Sequence, residues 1–75
     1  MKTDAEWRAQ TKGILKAELK RRGITYQELA AHLAELGVQE TPENIANKIS
    51  RGKFSAVFLM QCMEAINCPT LSIGN

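Results

Sequence analysis

Seventy-five residues make one small domain, near the lower limit of what folds alone, which leaves little room for an enzyme with a deep pocket and makes association with a second copy a natural way to bury more surface. A hydrophobic fraction of 44% with only 5% aromatic residues suits a helical bundle built on Leu, Ile and Ala better than a β-barrel or sandwich. The net charge of +2 is unevenly placed: residues 1–24 carry seven bases against three acids, and the remainder three bases against five acids.

In chain order, Thr3 or Asp4 caps a first helix over about residues 4–22, stopped at Gly23, with Trp7, Thr11, Ile14, Leu15 and Leu19 on one face. Gly13 inside it costs about 1 kcal/mol relative to Ala, which suggests that another element packs closely there. Arg8, Lys12, Lys16 and Lys20 recur every four residues and form a basic ridge that drifts slowly round the helix. Two readings stand: a solvated face, or contact with a nucleic-acid backbone.

Thr25 and Glu28 have the spacing of a capping box and open a second helix over 25–36, in which Leu29, Leu33 and Leu36 make a stripe beside the small Ala30. Tyr26 and Gln27 stand in its first turn, where a side chain or backbone N–H can meet a phosphate or do nothing more than start a helix. His32 has no second His or Cys at ligand spacing. A third helix over 42–51 has both ends written in: Thr41 as N-cap, Pro42 at the first position, Gly52 after the last. Ile45 and Ile49 anchor it, and Asn44, Asn47, Lys48, Ser50 and Arg51 flank that stripe with groups suited to base edges and phosphates. Ser55 caps a fourth helix over 55–67 that is apolar almost all round, so part of its surface is expected to meet another chain. A tail over 69–75 follows Pro69.

The cysteines, Cys62 and Cys68, are too few for a disulfide framework, and buried thiols in a reducing cytosol are the simpler reading. No charged-then-apolar leader and no apolar run of about 20 residues is present, so a cytoplasmic protein with no membrane partner is expected. No acid–base pair, Gly-rich phosphate loop or metal cluster stands at recognisable spacing; the expectation is a non-enzyme without catalytic residues, metal or cofactor.

The segments LKAELKRRGITYQELAAHL and NIANKISRGKFSAVFLMQCMEAINC resemble the helix-turn-helix domain of the Cro and phage-repressor superfamily. WRAQTKGILKAELKRRG, NIANKISRGKFSA and FLMQCMEAI also resemble a small bacterial domain family of uncharacterised function. The first resemblance implies an all-α, four-helix, lambda-repressor-like bundle forming a single domain over 1–75, and a transcriptional regulator that binds double-stranded DNA as a homodimer. It puts Asn44, Asn47 and Lys48 at base edges in the major groove, and Gln27, Ser50, Arg51 and Lys53 near phosphates, where Lys20 of the basic ridge joins them. Departures from the pattern are a longer connection through Gln39 and Glu40, and two acids, Glu40 and Glu43, near where phosphates would sit. The alternative is a protein-interaction module on the same fold, using Val57, Phe58 and Met60 of the last helix; that patch would also serve a homodimer.

Overall fold

The computed structural model describes residues 1–73; positions 74 and 75, the end of the expected tail, lie outside the described residues. Four helices occur there and no strand: α1 (Asp4–Arg21), α2 (Tyr26–Glu35), α3 (Pro42–Arg51) and α4 (Ala56–Ala65). Each begins where a hydroxyl can accept an otherwise unpaired backbone N–H. Thr3 accepts from Glu6, Thr25 from Glu28, Thr41 from Asn44 and Ser55 from Phe58. Caps of this type stabilise a helix by about 1 kcal/mol each. In α1 and α2 the box is closed by a returning glutamate: Thr3 N–H donates to Glu6 Oε1 at 2.7 Å and Thr25 N–H to Glu28 Oε1 at 2.8 Å. Those hydrogen bonds to Thr25 hold the Glu28 carboxyl below its ordinary value of 4.5.

Three helices end in the same doubly bonded turn. In α1, Gly23 N–H donates to Lys20 O and Ile24 N–H to Leu19 O; in α2, Gly37 to Ala34 and Val38 to Leu33; in α4, Asn67 to Glu64 and Cys68 to Met63. The last of these shortens the fourth helix relative to the expected 55–67. Asn67 takes the left-handed conformation, φ +57°, that glycine fills elsewhere, so α4 stops at Ala65 without a glycine to announce it.

The core is a single cluster of Leu15, Leu19, Leu29, Leu33, Ile45, Ile49, Phe58, Cys62, Ile66 and Cys68, with Ile24, Val38, Phe54 and Leu59 packed around it. α2 packs on both α3 and α4, and α1 packs on α3. Two further sequence expectations change here. Trp7 does not join the core: it is 53% exposed and lies under the Lys2 ammonium, 4.6 Å from the ring centroid. The buried residues of α1, Leu15, Glu18 and Leu19, all lie in its second half, which leaves Trp7 in the exposed first two turns. Gly13 is not the close-approach glycine, since a Cβ there would meet nothing within 4 Å. Gly52 is: a Cβ there would overlap the Arg8 carbonyl oxygen and come within 2.8 Å of its carbonyl carbon, and φ is +62°. The end of α3 thus sits directly on the α1 backbone.

Candidate functional site

On α3 the buried Ile45 and Ile49 fix which sides face out. Asn47 points directly away from that stripe and is exposed, as are Asn44, Ser50 and Arg51 beside it. Asn44, Asn47 and Arg51 follow one another at three- and four-residue spacing, so they form one row along the helix. Since Gly52 rests on Arg8, the row runs into α1: Arg51 shares a depression of about 180 Å³ with Ala5, Arg8, Ala9 and Lys12. From there the ridge continues to Lys16 and Lys20, which line a second hollow with Ile24, Thr25 and Tyr26 at the start of α2. Arg8 to Lys20 covers about 18 Å of helix axis. Gln27 is exposed in the first turn of α2, and Lys53 is exposed just past Gly52.

Which cations are free is decided by the carboxylates within reach of each in the fold. Arg8 bridges to Asp4 (3.1 Å) on the surface. Arg21 and Arg22 both bind Glu18, at 2.6 and 3.3 Å, and Arg22 Nε also donates to Ile66 O at 3.3 Å. Among the described residues Glu18 is the one charged residue that is buried, so this pair of arginines holds a carboxylate in place and ties the end of α1 to the end of α4. Lys12, Lys16, Lys20, Arg51 and Lys53 form no ion pair among the described residues.

Lys48 differs from the sequence expectation. Its ammonium is bonded to the Glu40 carboxylate and stands 4.6 Å from the centroid of the Phe58 ring, so it is turned toward α4 and is not free at the outer face. The cause is the long α2–α3 connection, which folds Glu40 back until its side chain is only 11% exposed; a carboxylate so enclosed takes the nearest cation. The same pairing removes most of the repulsion that Glu40 would offer to phosphate, and leaves Glu43 as the exposed acid on this side.

The apolar patch is also smaller than expected. Phe58 is a core residue, packed edge-on against Phe54 with centroids 5.5 Å apart. It shares the inward side of α4 with Cys62, four residues on, and that helix packs against α2. Val57 and Met60 remain 64% and 70% exposed, and Met60 borders a hollow with Met63, Glu64, Asn67 and Pro69.

Cys62 is buried beneath the Glu40–Lys48 pair. Burial, then the Glu40 charge, pushes its thiol up to about 12, with Lys48 pulling the other way, so it is no nucleophile near neutral pH. Cys68 Sγ donates to Thr70 O at 2.9 Å. His32 stands alone beside Glu35, Nδ1 to Oε1 3.6 Å, and no group of three or more His, Cys, Asp or Glu among the described residues is placed to hold a metal ion. No helix among those residues is long and apolar enough to cross a membrane.

The sequence pattern marks the ridge of Arg8, Lys12, Lys16 and Lys20 but does not show that Arg21 and Arg22 close over Glu18. The one available signal was Glu18 at three and four residues before the two arginines, the spacing of helical ion pairs. A family model described as a domain of unknown function, DUF6471, matches residues 7–71. No curated protein and no solved structure gives a match.

Proposed function

We propose that this chain, which belongs to the DUF6471 domain family, is a DNA-binding module of lambda-repressor-like helix-turn-helix arrangement, with α3 laid in the major groove and α1 along the phosphates. One observation carries the reading: a continuous set of cations with no ion pair among the described residues, Lys12 half-buried and Lys16, Lys20 and Arg51 exposed, adjoins an outward row of amides, Asn44 and Asn47. Cations held near one another without carboxylate partners repel, and an anion of repeating charge relieves that repulsion. Duplex DNA presents one charge per about 1.7 Å of axis, so the ridge faces several phosphates. The asparagines can each hold adenine through two hydrogen bonds. Ser50, Gln27 and Lys53 stand at the margins of this surface, as further phosphate contacts.

In this reading the protein is a cytoplasmic regulator that works as a homodimer, its two α3 helices reaching major grooves about 34–36 Å apart. Titration of duplex pools at low salt tests it. Binding that weakens steeply with salt, and that is both weaker and less salt-dependent in Lys12→Ala, Lys16→Ala and Arg51→Ala, is the expected result; absence of binding at low salt overturns it.

A second reading is favoured by a different observation, the exposure of Val57 and Met60 on one side of α4. Here the module binds a protein, or its own second copy, through that side. Light scattering on Val57→Glu and Met60→Glu separates the cases: a wild-type oligomer that becomes monomeric supports the patch, whereas a wild-type monomer removes its role in self-association.

A further inference from the structure

We propose that Glu40 is an internal competitor for Lys48, so that this lysine is withheld from nucleic acid until a phosphate displaces the carboxylate. The inference rests on the DNA-binding reading above and adds a regulatory contact within the same surface.

On the α3 wheel Lys48 belongs to the flank it shares with Asn44 and Arg51, one turn from each. A lysine stem is long enough to send its ammonium either outward along that flank or sideways toward α4. It takes the second course because two groups wait there: the Glu40 carboxylate and the face of the Phe58 ring. The Lys48 side chain keeps 39% of its surface exposed, whereas Glu40 keeps 11%, so the lysine has an open side toward solvent and the carboxylate does not. A phosphate arriving at Asn44 and Arg51 therefore meets Lys48 from its open side and competes with Glu40 for the same ammonium. Glu40 in this position subtracts one cation from the contact surface and makes phosphate contact conditional on breaking an existing pair.

The test compares the wild-type chain with Glu40→Gln, which keeps the side-chain shape and removes the charge, and with the double variant Glu40→Gln, Lys48→Met. Each is titrated with a short random-sequence DNA duplex across salt. Freeing one cation steepens the log–log salt dependence by about 0.9, which is roughly threefold more affinity lost between about 50 and 200 mM salt. Glu40→Gln is expected to bind more tightly at low salt with that steeper slope, and the double variant to return to the wild-type slope. If the wild type binds through Lys12 and Lys16 but Glu40→Gln leaves the slope unchanged, the competition is overturned and the DNA-binding reading stands. If neither chain binds, the DNA-binding reading fails and takes this role with it. Acetylation of lysines in the folded wild-type chain gives a measure that does not depend on the variant folding: Lys48 is expected to react several-fold more slowly than Lys16, and equal rates overturn the proposal.

Discussion

Lys12 and Lys16 in the middle of α1, and Arg21 and Arg22 at its end, lie on one helix only a few residues apart, yet they do different work. The arginines close over Glu18, a carboxylate enclosed by the bundle, and one of them reaches the carbonyl of Ile66 at the end of α4. The lysines face the margin between α1, the end of α3 and the start of α2, and form no ion pair among the described residues. Position relative to the core, more than residue type, separates cations that hold the fold from cations left free to bind. Lys48 falls between the two: it belongs by helical position to the outward flank of α3 and by its partner to the fold.

The largest expected effect comes from breaking the junction that keeps the two surfaces together. Gly52→Ala places a methyl into the Arg8 carbonyl and forces a side chain into the left-handed region, and unfolding by urea is expected to show a loss of about 2–4 kcal/mol. Gly13→Ala is the control on the same junction's other helix; with open space around it, it is expected to gain about 0.5–1 kcal/mol. Equal effects at the two glycines would dissolve the distinction between them.

Next comes the fold-holding set. Glu18→Gln removes the charge that Arg21 and Arg22 share and is expected to cost about 1–3 kcal/mol, with no change in the salt dependence of duplex binding. Lys12→Ala and Lys16→Ala should do the reverse: stability within about 0.5 kcal/mol of wild type, and a salt slope shallower by about 0.9 for each phosphate no longer neutralised. A stability loss from the lysines, or a slope change from Glu18→Gln, would break the comparison. Asn47→Ala sharpens it further, since removing a base-reading amide is expected to cost about 1–3 kcal/mol at one position of a selected site and nothing at random sequence.

The smallest effect is in pH. Glu28 has its folded carboxyl held below 4.5 by hydrogen bonds to Thr25, so it contributes stability above the unfolded value, and that contribution disappears as pH falls through 4.5 toward the lowered folded value. Urea unfolding of wild type and Glu28→Gln should therefore differ at neutral pH and converge in acid.

Much of the helical skeleton was legible because its signals are local. A threonine or serine three residues ahead of the N–H it caps is visible in one dimension, as are glycines after α1, α2 and α3. The end of α4 was not legible because Asn67 does the glycine's task, and the inward turn of Phe58 was hidden because an all-round apolar helix carries no mark of its inner side. At the candidate site the row of Asn44, Asn47 and Arg51 could be read from helical spacing, but the fate of Lys48 could not. Its partner lies eight residues away across a turn whose path no periodicity describes.

By itself the sequence determined where helices start, which leucines and isoleucines form the inward stripes except at Leu36, which caps the end of α2 and is 43% exposed, and that a basic ridge runs along α1, because caps and helical periods act between residues a few positions apart. The tertiary structure alone decided that Gly52 lands on the Arg8 backbone, that Glu18 and Glu40 are enclosed, that Glu40 claims Lys48, and that Lys12, Lys16, Lys20 and Arg51 form no ion pair among the described residues. The physical reason is that a charge chooses its partner by distance and burial in space, and both are set by how the helices pack.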